Sequence, residues 1–406
     1  MTMLDELLLK IESDGTAELI YLVLGSIIMF TLQKSYRYVR QNIKRIKISL
    51  KLKKYRDFLT KTNVLSLENG DPEFANSNIH IKEASNLGEQ KCLFIGIPDK
   101  YLKQVRQKEH ELNILPDNIS IFHQDQSFNG KNEFSDIQEK TGIKNLNKLI
   151  EEHREIVAQH FVESSNGLKF NGQKYGIFDL KFTRFGKNEN PGAVITLFKT
   201  DYFTHRIFRS IYHQLKSENH EIKNSTADNF LKYNPFLTSF GLNTVLICHG
   251  EKGKEVVLSK RSGRVHGDKS RYHISMNEGL SQTDKDAFGK VDLELCFRRG
   301  LMEEIGIDNN IYQLASRTAF YDFFLEKTNF EVGLTSAIEI DAPFHANIEP
   351  LIARDKAFET DKFEVIPMAT KHLKLFVDNH EFVPHGIYTL NHVLLREGIS
   401  LMSIDS

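Results

Sequence analysis

Two spacings of hydrophobic residues recur along the chain, and each predicts a different kind of element. Short apolar runs, alternating or continuous, predict strands at 91–97, 175–184, 193–198, 242–248, 254–261, 271–276, 318–325, 331–340 and 363–367. Apolar residues three or four positions apart predict helices at 146–160, 204–215, 291–304, 371–379 and 387–396. Strands and helices in this mixture predict an α/β fold class.

A chain of 406 residues is too long for one ordinary core. The polar stretch Ser217–Asn234 is the predicted boundary between two α/β regions. We therefore divide the chain into an N-terminal tail with a transmembrane helix (1–33), a basic juxtamembrane helix (34–56), a mixed α/β domain of unassigned role (57–235) and a second α/β domain (236–406). We expect the last two to fold separately.

The apolar run Leu19–Leu32 predicts a single-pass membrane anchor. With Thr16, Ala17 and Gln33 the membrane-compatible stretch has about 18 residues, or roughly 27 Å of helix. Acidic residues precede the run, and ten lysines or arginines without any acid follow it up to Arg56. This contrast predicts an anchor in the cell membrane with the bulk of the chain in the cytoplasm, and it argues against a cleaved signal peptide. The alternative is a soluble oligomerising helix, so a homo-oligomer stays open.

The basic segment 34–56 has helical spacing and suits anionic lipid headgroups, so residues 17–56 are the predicted lipid contact. Nucleic acid is the competing partner for such a segment. Over the whole chain, however, 53 lysines and arginines balance 54 acids, and we expect no sequence-specific nucleic-acid binding. The three cysteines are widely spaced, which fits a reducing compartment.

One helix of the 57–235 region carries a candidate anion patch. His205, Arg209 and His213 lie one turn apart, with Arg206 beside them. The alternative interpretation is a solvated helix face.

The most informative stretch is Arg298–Ile307, which carries two adjacent carboxylates one turn after an arginine. Glu303 and Glu304 can share a side of the helix with Arg299, and Gly306 supplies a C-terminal stop. Magnesium prefers hard oxygen ligands and is often held by one or two carboxylates together with substrate phosphates. The stretch therefore suits metal-assisted attack on a phosphate ester, although a Glu-Glu pair by itself is also typical of a solvated charged face.

This stretch resembles the second half of the Nudix box, which reads Arg-Glu-U-x-Glu-Glu-x-Gly-U with U aliphatic. The residues that match are Arg299, Leu301, Glu303, Glu304, Gly306 and Ile307. Gly300 stands where the family has a glutamate. The first half is longer than in the family, because the nearest opening glycine, Gly279, lies six residues too early, and Val291 stands where a glutamate is expected.

The resemblance implies a Nudix-like αβα sandwich over 236–406, with Mg²⁺ or Mn²⁺ at Glu303 and Glu304. It implies catalytic roles for Glu304 and Arg299, and substrate phosphates near Lys260 and Arg261. Candidates to replace the missing carboxylate at position 300 are Glu278, Glu294 and Glu331, and Asp292 is a candidate to steady Arg299.

Two functions follow from this resemblance. The first is a membrane-tethered Nudix-type hydrolase acting on a nucleotide or another diphosphate-containing small molecule with Mg²⁺. The second is a catalytically impaired, nucleotide-binding sensor or regulator at the membrane, since Gly300 removes a metal ligand or base.

Overall fold

The computed structural model of the chain describes residues 63–68, 78–83, 92–102, 135–163, 171–251, 253–263 and 269–401, together with residues 29, 35, 36, 39 and 104. The predicted anchor Leu19–Leu32 and the basic segment 34–56 lie outside the described residues, apart from four single positions. Within the described part, no helix is both long enough and apolar enough to cross a bilayer.

The described part is a mixture of strands and helices in the predicted order. The strands are β1 (Val64–Ser66), β2 (His80–Glu83), β3 (Gln173–Phe185), β4 (Asn190–Asp201), β5 (Phe240–Gly250), β6 (Gly253–Arg261), β7 (Tyr272–His273), β8 (Met276–Gly279), β9 (Ala315–Glu326), β10 (Glu331–Ile340) and β11 (Thr360–Pro367). The α-helices are α1 (Ser135–Thr141), α2 (Leu146–Glu163), α3 (Tyr202–Ser217), α4 (Leu293–Gly300), α5 (Asn309–Tyr312), α6 (Phe344–Asn347), α7 (Lys356–Glu359), α8 (Thr370–Asp378) and α9 (Pro384–Arg396). Two 3₁₀ helices (Glu221–Asn224, Phe230–Phe236) and one π-helical turn (Leu301–Ile305) complete the set.

The larger sheet has the strand order β1-β9-β10-β5-β6-β11, with β7 paired to β6 and β8 paired to β5. Its β10–β5 pair is parallel and the other pairs are antiparallel. The smaller sheet has the order β2-β4-β3. The fold is thus α/β, as the spacing of apolar residues predicts.

Helices cover both faces of the larger sheet. Along β5 the side chains alternate, so that Leu246 and Cys248 join one core while Val245 and Ile247 join another. The first core includes Phe297 of α4 and the second includes residues of α8 and α9. This three-layer arrangement is the αβα sandwich expected for the C-terminal part.

The two predicted α/β domains share their packing. The ring of Phe323 on β9 lies 5.9 Å from Phe182 on β3 and 5.9 Å from Phe240 on β5, so one core spans both regions. Residues 57–406 form one compact unit. The predicted boundary stretch contains the first 3₁₀ helix and most of the second, with Ile222 and Phe230 buried. Separate folding of 236–406 stays a prediction.

Three predicted elements differ in detail. The predicted strand 91–97 makes a bridge from Cys92 to Lys199 and contributes alternating buried side chains, without joining either sheet as a full strand. The predicted strand 271–276 is split into β7 and β8 by Ile274 and Ser275. The predicted helix 291–304 ends as an α-helix at Gly300 and continues as a π-helical turn.

Candidate functional site

The site is built where α4 runs into the π-helical turn. The Asp292 side chain caps α4 by accepting a hydrogen bond from the Glu294 N–H at 2.8 Å. The turn ends at Gly306, whose φ of 92° favours glycine and whose N–H donates to the carbonyls of Leu301 and Met302. Single π-helical turns occur frequently at functional sites. This turn directs the adjacent Glu303 and Glu304 toward different partners.

Arg299 lies at the centre of the site and binds three carboxylates. Its Nε and Nη2 donate to the two oxygens of the buried Asp284, both at 2.8 Å. Its Nη1 lies 2.8 Å from Glu278 and 3.4 Å from Glu303, and its Nη2 also donates to the Gly279 carbonyl at 2.9 Å. Burial alone would lower the pKa of Arg299, but the carboxylates of Asp284 and Glu278 raise it above its ordinary value. The prediction that Asp292 steadies Arg299 was wrong, because Asp284, in the loop between β8 and α4, does so.

Glu303 is paired at the rim of the site. Its Oε2 accepts from the Arg354 Nη2 at 2.7 Å, and its carbonyl accepts from the Asp355 N–H at 2.9 Å. The Glu303 side chain is 16% exposed, so a ligand or ion can reach it from one side. Arg354 was not anticipated from the sequence.

Glu304 points inward, toward strand β8. Its two carboxylate oxygens accept from the Asn277 N–H at 3.1 and 3.2 Å. Burial raises the pKa of Glu304 well above its ordinary value, and the nearby carboxylates of Glu359 and Glu278 raise it further. Burial likewise raises the pKa of Glu359 to about 7. The inner part of the site therefore holds more carboxylates than its cations neutralise.

Glu278 occupies the space left by the glycine at position 300. A Cβ on Gly300 would lie 2.6 Å from the Glu278 Cβ and 2.7 Å from the Met276 Sδ. Strand β8 therefore approaches the helix more closely than a side chain at position 300 would allow. The Glu278 carboxylate reaches Arg299 and stands beside Glu303 and Glu304. Burial raises the pKa of Glu278 and Arg299 lowers it.

The other two candidate replacements are engaged elsewhere. Glu294 pairs with Arg298 at 3.1 Å, and Glu331 lies 3.4 Å from Arg209. Among the three acids that the sequence suggests, Glu278 is thus the one that the fold brings to Glu303 and Glu304.

We predict that Gly300→Ala destabilises the protein by roughly 1–3 kcal/mol, because the added methyl group overpacks against β8. Alanine in a helix interior ordinarily stabilises by roughly 0.5–1 kcal/mol relative to glycine. The matched control is Gly386→Ala in α9, where the nearest atom to the new Cβ would be 3.4 Å away. Urea unfolding of both variants checks this, and a stabilised Gly300→Ala protein would contradict the close approach of β8.

Of the two predicted phosphate-binding cations, Arg261 lies beside the carboxylates. Its charge lowers the pKa values of Glu304 and Glu359. Its Nε is buried and has no hydrogen-bond partner among the described residues. Lys260 points to the other side of β6 and lies 6.0 Å from the ring centre of Tyr272. A buried guanidinium N–H without an acceptor favours an anion at Arg261.

The donor set at the turn consists of carboxylate oxygens, which suits Mg²⁺. In the described part of the chain, two groups of side chains place three possible metal-ligand atoms within 4.8 Å of one another. They are Glu68–Asp322–His392 and His249–Glu339–Asp341, so neither includes Glu303 or Glu304. Both groups already contain cationic partners. Arg396 lies 3.0 Å from Asp322, and Arg317 lies 3.0 Å from Glu339. They are therefore buried or surface ion-pair networks.

Three residues of the site carry no signal in the sequence. Asp284 lies 15 residues before Arg299, Arg354 lies in the loop before α7, and Glu359 is the last residue of α7. Their spacing from the motif is irregular, so only the folded chain brings them together.

No protein-family model matches the chain, and no curated protein matches it. Solved structures do show similarity. The NUDIX domain of Shewanella oneidensis NrtR, complexed with ADP ribose, is 13% identical over 43% of this chain and 99% of its own, with a TM-score of 0.28. A MutT/nudix family protein from Enterococcus faecalis is 17% identical over 37% of this chain and 55% of its own, with a TM-score of 0.23.

A bifunctional NMN adenylyltransferase/ADP ribose pyrophosphatase from Francisella tularensis is 12% identical over 48% of this chain, with a TM-score of 0.29. The match covers 47% of that protein. Identities and TM-scores at this level are too low to carry any statement about activity.

Proposed function

We propose that the chain is a Nudix-type hydrolase that splits a diphosphate linkage in a nucleotide or related small molecule with the help of a divalent cation. The observation that carries the proposal is the pairing of Glu278 and Glu303 with Arg299, with the buried Glu304 beside Glu278. Arg261 lies next to these carboxylates, and its Nε has no hydrogen-bond partner among the described residues. In this proposal Glu278 takes the place of the family's missing glutamate.

Each residue has a defined task in this proposal. Glu303 and Glu304 hold Mg²⁺ or Mn²⁺, which would screen the diphosphate charge and lower the pKa of the attacking water. Arg299 fixes the positions of Glu278 and Glu303 through the contacts described above. Arg261 donates to a phosphate oxygen. The charge contrast across 19–32 supports a place on the cytoplasmic side of a membrane.

The second candidate is a nucleotide-binding regulator without turnover. It is favoured by the pairing of Glu303 with two guanidinium groups, Arg299 and Arg354, which compete with a metal ion for the carboxylate. The hydrolase requires the Glu303–Arg354 pair to open when the metal and the diphosphate bind.

Metal-dependent turnover of nucleoside diphosphate derivatives by the full chain tests the proposal. A second readout is the stabilisation by Mg²⁺ at two pH values. The folded protein keeps a proton on Glu359 up to about pH 7, whereas the ordinary pKa is 4.5, so its metal-free stability falls as the pH rises through this window, by up to about 3 kcal/mol. Above this window the ionised Glu359 adds negative charge beside Glu304, which favours binding of a cation there. Mg²⁺ should therefore raise the melting temperature more at pH 8 than at pH 6.

Turnover that requires the metal, with the larger stabilisation at pH 8, supports the hydrolase. Metal-independent stabilisation by nucleotides without turnover supports the regulator instead. If the protein shows no turnover and no response to metal or nucleotide, both candidate functions are contradicted.

A further inference from the structure

A polar cleft of about 200 Å³ opens beside the site, between the two α/β regions. Its floor is a row of three glycines on adjacent strands, because Gly333 of β10 pairs with Gly241 of β5, and Gly241 pairs with Gly279 of β8. The Phe324 ring and the Asn243 amide fill the space beside Gly333, and the Glu278 backbone fills the space beside Gly241. The open part of the cleft therefore lies beside Gly279, where the nearest atom is the Lys174 ammonium nitrogen. Strand β8 contributes to both places, since Glu278 faces Arg299 while its neighbours Asn277 and Gly279 line the cleft.

A buried amide in the wall of the cleft is incompletely satisfied. Asn243 is 3% exposed, and its Oδ1 has no hydrogen-bond partner among the described residues. A buried acceptor without a donor is costly, so it marks a place where a ligand O–H or N–H would be favourable. A lipid tail or another apolar group would leave this oxygen unsatisfied.

The 57–235 region supplies cations to the same cleft. The Lys174 ammonium on β3 would lie 3.1 Å from a Cβ on Gly279, and in the described part of the chain it makes no hydrogen bond or ion pair. Arg209 of α3 reaches the cleft, and its one ion pair within the described residues is a long contact of 3.4 Å to Glu331. These two cations suit a phosphate group, and the Glu331 carboxylate suits a hydroxyl group.

The predicted patch on α3 is therefore only partly realised. His205 is buried and lies 3.0 Å from the Thr238 hydroxyl, while Arg209 faces the cleft. Arg206 lies over the Tyr202 ring, and His213 contacts Asn329. Of the four residues, His205 and Arg209 line the cleft and the other two belong to other contacts.

We propose that this cleft binds the sugar-phosphate half of the substrate, with the phosphate at Lys174 and Arg209 and a sugar hydroxyl at Asn243. This inference rests on the proposed function in placing the scissile diphosphate next to β8. It assigns the 57–235 region a role in substrate specificity. Lys174 and Asn243 are then substrate-binding residues that lie outside the motif.

The test is calorimetric titration of the full chain with ribose 5-phosphate in EDTA, where no metal chemistry occurs. We expect binding that Lys174→Met and Asn243→Leu each weaken by about tenfold or more, since each removes one hydrogen-bonding group to the ligand. The matched control is Lys181→Met on the same strand, whose side chain is 74% exposed and pairs with Asp179. That variant should bind as the wild type does. Ribose alone and inorganic phosphate should each bind more weakly.

Equal affinity for inorganic phosphate and ribose 5-phosphate would overturn the sugar site, as would unchanged affinity in the Lys174→Met protein. The charge of Lys174 lowers the pKa of the nearby Glu278, so urea unfolding of Lys174→Met accompanies the titration and separates a folding defect from lost binding. Glu304→Gln separates this inference from the hydrolase, because it should bind ribose 5-phosphate as the wild type does while losing turnover.

If the wild type binds ribose 5-phosphate but neither it nor any variant shows turnover, the cleft is supported and the hydrolase is contradicted. Turnover with no effect of the cleft variants on binding or KM would do the reverse.

Discussion

Replacing Glu304 by glutamine should lower metal-dependent kcat/KM by at least about a hundredfold while leaving the metal-free protein as stable as the wild type. The loss follows because an amide is a poor substitute for an anionic metal ligand. Stability is retained because burial raises the pKa of Glu304 by disfavouring its charged form, and a neutral amide of the same shape does not carry that desolvation cost. The glutamine oxygen can still accept from the Asn277 N–H.

Steady-state kinetics and thermal unfolding with and without Mg²⁺ measure both parts of this result. The stabilisation by Mg²⁺ should shrink together with the activity. Glu349→Gln is the matched control, because that carboxylate is about half exposed and contacts only the exposed His345 among the described residues. A Glu304→Gln protein with wild-type turnover would remove Glu304 from the metal site. A large loss of metal-free stability would contradict the expectation that an amide replaces this buried carboxyl without cost.

Replacing Arg299 by methionine should destabilise the protein by roughly 3–5 kcal/mol, the usual cost of removing one partner from a buried ion pair. Asp284, whose side chain is 3% exposed, would lose both of its guanidinium contacts. Glu278 would lose its ion pair at the same time. Urea unfolding measures the change.

The neighbouring arginine provides the control. Arg298 is 46% exposed and pairs with Glu294 on the surface of α4, so Arg298→Met should cost no more than about 1 kcal/mol. Adding Asp284→Asn to Arg299→Met should recover part of the lost stability, since the unpaired buried charge is then removed. Equal effects of the two arginine substitutions would contradict the central position of Arg299.

Gly300 illustrates the limit of reasoning from a motif. By resemblance alone, Gly300→Glu would restore a family carboxylate. The structure gives the opposite expectation, because Glu278 and Met276 already fill that space at 2.6 and 2.7 Å from a Cβ. The carboxylate at this site comes from strand β8. A linear motif cannot reveal this, since the position of Glu278 relative to the helix depends on the loop between β8 and α4.

Local patterns were sufficient for most of the secondary structure. Apolar spacing predicted the exact span of β10 and the cores of β5, β6 and β9, because a half-buried strand must place alternate side chains in a core. Glu304 points to strand β8, but the motif also identified Arg299 and Glu303 as neighbours, since residues one turn apart meet on any helix. These are short-range effects, which depend on the order of residues along the chain.

Long-range packing produced everything else about the site. Asp284 reaches Arg299, and Glu359 lies near Glu304, although both come from distant segments. Lys174 enters the cleft from the smaller sheet. Lys260 points to the other side of β6, beside Tyr272. Such contacts depend on how strands pair and how closely β8 approaches a glycine, and neither leaves a periodic trace along the chain. The order of residues along the chain thus determined the helices and strands and the spacing of Arg299, Glu303 and Glu304. Tertiary packing determined which residues these side chains contact and how the pKa values of the carboxylates are shifted.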